Sequence, residues 1–187
     1  MSFWFTSDTH FGQNNVLEQS KRPFQNLSDM DKKLIHNWNK VVGGQDTVFH
    51  LGDFGCPNII DYLNGKEIVL IRGNHDTRNI IDRLLKNSRV RLGKTNEFFI
   101  PDKLFKMVHK PSRAKSQKCF YLYGHTHGFQ IIKRNGLNIG VDSHNFTPLS
   151  FNEVLVWKTT ILNHYSGDLA VKGVRSKCVL NAALQPN

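Results

Sequence analysis

The chain has 187 residues, 39% hydrophobic and 21% charged, which suits one globular domain with a sizeable core. Its apolar runs are only a few residues long, far short of the ~20 that a membrane span needs, and Met1-Ser2-Phe3-Trp4-Phe5 lacks the basic start and long apolar middle of a secretory signal. The net charge of +10, from 25 Lys and Arg against 15 Asp and Glu, favours polyanionic partners such as nucleic acid, although the basic residues are dispersed along the chain.

Phe3-Trp4-Phe5-Thr6 reads as a short buried strand. Ser28, with Asp31 three residues on, looks like the N-cap of a helix carried by Leu27, Met30, Leu34, Ile35, Trp38 and Val41-Val42, and Gly43-Gly44 closes it. Thr47 to Leu51 is the second strand; Pro57 opens a short helix to Leu63. Ile68 to Ile71 is apolar throughout, as expected of a strand buried on both faces, and Ile80, Ile81, Leu84 and Leu85 mark a third helix. From about residue 90 strands dominate: Asn96–Ile100, Leu104–His109, Cys119–Tyr123, Ile131–Arg134, Leu137–Val141 and Val154–Trp157, with Asn135-Gly136 as a hairpin turn signal. The expected fold class is therefore α/β, two sheets packed face to face with helices outside. Residues 1–165 are expected to form the domain, with 166–187 a C-terminal extension, either an added strand or a tail. Three widely spaced cysteines, Cys56, Cys119 and Cys178, argue against a disulfide framework and for a reducing compartment, with the cytoplasm as the expected location.

Five polar clusters punctuate this pattern in order: Asp8-Thr9-His10, Gly52-Asp53, Gly73-Asn74-His75-Asp76, Val108-His109 and Gly124-His125-Thr126-His127. The first four follow or end an apolar run. Asp8 and His10 are two apart, so on an extended segment they project to one side. His125 and His127 repeat that spacing between two glycines, and glycine lets backbone approach an ion closely. Each cluster alone has an ordinary rival: Asp8 as a turn cap, His109 as a core histidine, His125 and His127 as a polar loop. Together they gather the Asp, His and Asn side chains needed to hold two metal ions.

With those motifs the chain resembles the calcineurin-like metallophosphoesterases, whose pattern runs D-x-H, GD, GNH[DE], H and GHxH. The match spans residues 4–128, and Val141-Asp142-Ser143-His144-Asn145-Phe146 through Trp157 is similar to small bacterial and phage-type members. The resemblance implies a four-layer α/β/β/α sandwich. It also implies one metal on Asp8, His10, Asp53 and His127, and a second on Asp53, Asn74, His109 and His125, with Asp53 shared. Two carboxylates set −2 against +4 from two divalent ions, leaving +2 to attract phosphate. Ions ~3.5–4 Å apart can polarise a phosphoryl group and hold a bridging hydroxide that attacks phosphorus in line. His75 is then the expected general acid for the leaving oxygen, a role worth about 10²–10⁴ in rate. Mixed Asp, His and Asn ligands suit Mn first, with Fe, Ni or Zn as alternatives.

Departures from relatives narrow the substrate. Protein Ser/Thr phosphatases of this superfamily carry GDxxDRG, and purple acid phosphatases place a metal-binding Tyr at the same offset. Gly52-Asp53-Phe54-Gly55-Cys56-Pro57 has Cys56 there and no Arg after it, which argues against both. Small relatives often read SDTHFGH, and this chain has Gln13 at the last position, assigned here with Asp76 to supporting the ligands. Arg22, Lys110 and Arg113 are candidate phosphate-binding residues, and Phe11, Phe54 and Phe129 flank the clusters as either core or base-stacking rings. The expected activity is hydrolysis of a phosphodiester or nucleotide-type phosphate ester. The alternatives are a nuclease or nucleic-acid end-processing phosphatase, and a non-catalytic scaffold of the same fold.

Overall fold

The computed structural model describes residues 1–94, 97–98, 105–167 and 169–170. The first half winds as β1 (Phe3–Thr6), α1 (Asn15–Gln19), α2 (Leu27–Val41), β2 (Thr47–His50), β3 (Glu67–Leu70), α3 (Arg78–Leu84) and β4 (Val90–Leu92). The second half runs through β5 (Glu97–Phe98), β6 (Lys106–Met107), β7 (Tyr121–Tyr123), β8 (Gln130–Lys133), β9 (Gly136–Asn138), β10 (Leu149–Ser150), α4 (Phe151–His164) and β11 (Leu169–Ala170). One sheet has the order β10-β1-β2-β3-β4, parallel except for β10; the other has the order β11-β8-β9-β7-β6-β5, with β6, β7 and β9 parallel.

The strand alternation explains the layers. Phe5, Phe49, Leu51, Val69 and Ile71 of the first sheet meet Met107, Leu122, Leu137 and Ile139 of the second in one buried cluster, with the Phe5 and Phe49 rings stacked at 5.3 Å. On the other face of the first sheet, Val48, Ile68, Leu70 and Val90 pack against Met30, Leu34 and Trp38 of α2 and Ile81 and Leu84 of α3. On the second sheet, Tyr121 and Tyr123 pack under Val108 and Ala114 of the segment joining β6 to β7. α4 puts Val154 and Ile161 into the central cluster and touches β1, β9 and β10. Two mixed sheets with flanking helices are the α/β/β/α sandwich expected.

Several local expectations are corrected. Val154–Trp157 is not a strand but lies within α4. Ser150 caps that helix by accepting from Glu153 N while the Glu153 carboxylate accepts from Ser150 N, so both first-turn donors are met. α2 starts two residues earlier than Ser28 suggested, because Asn26 accepts from Asp29 N and is the cap; Asp31 instead accepts from Gly12 N. The tight turn between β8 and β9 is Arg134-Asn135, and Gly136 already belongs to β9, where a side chain would strike the Tyr121 carbonyl. The helix from Pro57 is a 3-10 turn, Pro57–Tyr62. α1 and β4 gave too little periodicity to be read. Of the expected strands Asn96–Ile100 and Leu104–His109, residues 96, 99, 100 and 104 lie outside the described residues, as do Cys178 and the rest of 171–187. The segment after Tyr165 contributes β11 at the edge of the second sheet.

The capping box makes a direct prediction. Replacing Ser150 with Ala should lower stability by about 1 kcal/mol, read as a lower urea midpoint with unchanged slope; an unchanged midpoint would mean that the cap contributes nothing.

Candidate metal centre

The parallel strands of both sheets point their carboxyl ends the same way, and the five polar clusters leave from those ends. After β1 and β2 the two chains stay zipped: Asp8 N donates to Gly52 O, His10 N to Asp53 O and Phe11 N to Phe54 O, at 2.9 to 3.0 Å. Ser7 pairs with Gly140 just beyond β9, so the two sheets are joined at this end. Five residues of the clusters, Asp8, His10, Asp53, His125 and His127, have positive φ, between 49° and 71°. Non-glycine residues enter that region at a cost of about 1–2 kcal/mol each, and such strain gathers where surrounding structure over-determines a functional geometry.

Two groups of ligand atoms result: Asp8, His10 and His127, and Asp53, His109 and His125, the atoms of each group within 4.8 Å of one another. Asp53 joins them, because its Oδ2 lies 3.7 Å from His10 Nε2 and 3.3 Å from His109 Nε2. Asn74 Oδ1 is 3.0 Å from that same His109 nitrogen. All seven ligands expected from the sequence are thus brought together.

The imidazole protons show what these atoms face. His109 Nδ1 sits 2.8 Å from Leu51 O and must donate to it, since a carbonyl only accepts. His127 Nδ1 donates to Asp142 Oδ2 at 2.8 Å, and His10 Nδ1 to Gln13 Oε1 at 2.6 Å. Each neutral ring therefore turns an Nε2 lone pair inward. His10 Nε2 is buried with no hydrogen-bond partner, and His109 Nε2 looks at two oxygens that also carry lone pairs. A set of acceptors facing one another without a donor fits bound cations, and outward Nδ1–H bonds of this kind orient metal-ligating histidines. The close approach is built in: a side chain at Gly73 would fall on the Asp53 carboxylate, and one at Gly124 on the Ser7 hydroxyl and the Asp8 carboxylate.

The titrations divide the four histidines into two pairs. Burial pulls His10 down to about 4 and also lowers His125. For His109 and His127 burial opposes the charged form, but the carboxylates of Asp53 and Asp142, which favour a protonated ring in the absence of a cation, outweigh it and hold both above their ordinary value. Asp53 is held far below the usual carboxylate range, its burial outweighed by His109 and the His75 N–H, whereas burial pushes Asp8 up.

The supporting residues settle into particular places. Asp76, fully buried, accepts from Asp53 N, Gly73 N and Phe54 N, so it pins the backbone under Asp53 rather than orienting Asn74 or His75. His75 is exposed at the rim; its N–H donates to Asp53 Oδ1 and its ring stands 5.4 Å from that of His10. Lys110 is half-buried near His125, whose charged form it disfavours, and Arg113 is exposed on the 3-10 turn Pro111–Arg113.

Arg22 does not face a substrate. Its side chain is fully buried, and all five N–H groups are taken, by both oxygens of Asp142 at 2.8 Å, Asp8 O, Thr9 O and Met30 Sδ. Phe11 and Phe54 pack against each other in the core, while Phe129 is 55% exposed. Cys56 is partly buried beside Gly12, its thiol free.

Sequence reasoning missed three residues. Asp142 holds His127. Asn138, fully buried, donates to His127 O, Gln130 O and Thr126 Oγ1 and so clamps the loop after β7. His50 links Thr9 to Gly52 N beneath the site. The signal available for Asp142 and Asn138 was a polar residue inside an otherwise apolar run, Leu137 to Val141 and its end.

A family model for the calcineurin-like phosphoesterase superfamily domain matches residues 1–143. The chain belongs to that superfamily. Its members are generally metal-dependent phosphoesterases, which agrees with the two ligand groups. An uncharacterized protein of Methanocaldococcus jannaschii is 30% identical over 169 residues, covering 81% of this chain and 88% of its own. The gene 66 protein of Mycobacterium phage D29 is 28% identical over 186 residues, covering 78% and 91%. A crystal structure of an Aquifex aeolicus protein of unknown function superposes with a TM-score of 0.66 at 21% identity, over 83% of this chain and 98% of that one, and so shares the fold. Among the described residues no helix is long and apolar enough to cross a membrane.

Replacing Gly124 with Ala should displace the Asp8 carboxylate and weaken divalent-metal binding on the order of tenfold or more while the far-ultraviolet circular dichroism stays that of the wild type. Isothermal titration with Mn²⁺ reads the affinity; wild-type binding would refute the close packing.

Proposed function

We propose that the protein is a dinuclear-metal-dependent phosphoesterase acting on a phosphodiester or nucleotide-type phosphate ester, with His75 as general acid. The position of Asp53 carries this reading: one carboxylate oxygen faces the inward nitrogens of both ligand groups. Two isolated single-ion sites would not need an oxygen in common. When bound, a pair of divalent ions, Mn²⁺ foremost and Fe, Ni or Zn otherwise, supplies Lewis acidity toward the phosphoryl oxygens and a hydroxide nucleophile near neutral pH.

The chain's residues do the rest. Asp8 is fixed by the His125 N–H on both its oxygens, at 3.0 and 2.9 Å, so it presents a rigid carboxylate to the first group. Asp53 is fixed twice, through Asp76 on its own N–H and through the His75 N–H on Oδ1. His75 thereby couples the shared carboxylate to the rim, where its exposed imidazole can hand a proton to the departing oxygen. Its ring makes no demand on the ligand set, because only its main chain contacts Asp53. A diester or nucleotide ester is preferred because Cys56 and Pro57 stand where phosphoprotein phosphatases carry Asp and Arg. Replacing His75 with Ala should lower kcat by about 10²–10⁴ on bis(p-nitrophenyl) phosphate with Mn²⁺, with metal content unchanged and activity abolished by chelation. No turnover of this diester or of the monoester by the wild type with any divalent metal would end the reading.

A nucleic-acid substrate is favoured by one further observation. Between positions 103 and 141 the chain has eight Lys and Arg and no Asp or Glu, so most of its +10 charge lies in the segment that also holds His109, His125 and His127. Binding to a labelled single-stranded oligonucleotide should weaken linearly in log–log with salt, at about 0.7 per phosphate neutralised. Fluorescence anisotropy between 50 and 200 mM salt (roughly tenfold or more for several contacts) checks it; salt-independent or undetectable binding restricts the substrate to small esters.

A further inference from the structure

From the chain running Arg22, Asp142, His127 we infer that Arg22 and Asp142 are positioning residues for only one of the two metal positions, the one formed by Asp8, His10 and His127. Four observations combine. Asp142 takes the His127 Nδ1 proton at 2.8 Å, which fixes the tautomer and aims Nε2 inward. Arg22 grips both oxygens of Asp142 at 2.8 Å, so the carboxylate cannot swing away from the ring. The same guanidinium donates to Asp8 O at 2.6 Å and Thr9 O at 2.9 Å, holding the strained main chain on which Asp8 and His10 sit. Met30 Sδ takes the last N–H, leaving Arg22 with nothing to offer a substrate.

The second group is held in another way. His109 is oriented by the main-chain carbonyl of Leu51, and Asp53 by the His75 N–H and by Asp76. None of these contacts involves Arg22 or Asp142. The two positions therefore rest on different side-chain supports and meet at two points, the Asp53 carboxylate between them and the His125 N–H on the Asp8 carboxylate. Loosening the first support should release one ion and keep the other, converting a two-ion centre into a one-ion centre. A mere fold staple between residues 22 and 142 would act differently: it would change stability and affect both positions alike. Carboxylates that accept from a ligating histidine typically contribute 10–100-fold in metal affinity.

This inference rests on the reading of the two groups as a pair of divalent-metal sites. The test uses the full chain and its variants Asp142→Asn and Arg22→Lys, which keep side-chain size while removing the carboxylate charge or the two-pronged grip. Mn²⁺ is titrated in and followed by electron paramagnetic resonance and isothermal calorimetry, with Tm measured alongside. The wild type is expected to take two ions per chain with a spin-coupled signal. Each variant is expected to keep one ion at near-wild-type affinity, to bind the second 10–100-fold more weakly, and to show an uncoupled Mn²⁺ signal at one equivalent. Should Asp142→Asn fail to fold, Arg22→Lys carries the measurement. Equal weakening of both sites, or two ions bound as tightly as in the wild type, would overturn the inference. A wild-type chain that binds no Mn²⁺ would remove the metal reading and this one with it. Two ions bound without ester hydrolysis would leave it standing and count against the proposed function alone.

Discussion

Lone pairs turned toward lone pairs are the constraint that organises this molecule. Histidine nitrogens, carboxylate oxygens and an amide oxygen converge, the two carboxylates steadied by the main-chain N–H groups of His125 and His75, and most of the residues that carry them hold their backbone in the left-handed region. Neither feature stabilises the fold by itself. Both persist because the rest of the structure removes the alternatives. The rings of His10, His109 and His127 cannot rotate freely, since the outward nitrogen of each is bonded to an acceptor. The backbone cannot relax, since Asp8, His10 and Phe11 are tied residue by residue to the chain leaving β2.

The sandwich supplies the rigidity for this. A large apolar cluster locks the inner faces of both sheets, and the Ser7–Gly140 pairing fastens them where the loops emerge. Glycines then set the distances. Gly55, at φ 96°, lets the second loop lie against the Phe11 backbone, and Gly73 leaves room for the Asp53 carboxylate. Apart from the inward His10 Nε2, the buried polar groups around Asp53 and Asp142 are paired with one another, as buried polar networks must be to avoid a desolvation penalty. Asp76 shows the economy of the arrangement: two carboxylate oxygens satisfy three main-chain donors on two different loops.

Much of the site was legible in the sequence for a specific reason. Metal ligation requires particular residue types at strand ends, and strand ends are marked by short apolar runs followed by Gly, Asp or Asn. Local pattern therefore marked Asp8, Asp53, Asn74 and His109 as candidates, and the five clusters in order, with the resemblance they carry, implied the ligand set. Arg22 could not be read that way. A basic residue in a loop before Pro23 looks like a phosphate ligand, and nothing local indicates that its partner stands 120 residues away. Asp142 was quoted only as part of a stretch for the same reason. The error over Val154–Trp157 was of a different sort. Apolar Val154, Val156 and Trp157 have some strand character, but Ser150-x-x-Glu153 is a helix start and it decided the outcome. A capping signal outweighs a short apolar run because it satisfies donors that any helix must otherwise leave open.

The burial of Arg22 bears on how a phosphate ester would be recognised. A guanidinium whose every donor is already bonded inside cannot also grip phosphate, so the strongest phosphate-binding side chain near the ligands serves the scaffold. Positive charge toward a substrate must then come from bound cations and from residues such as Lys110, half-buried beside His125. A lysine is a compact point charge without the fork that fixes orientation. Orientation would fall to the ions and to His75, and affinity to longer-range attraction from the basic segment around the three histidines of the second sheet. Such a site would tolerate different groups beyond the reacting phosphate and discriminate chiefly by charge, which is a physical reason why the ligand motifs alone say so little about a substrate.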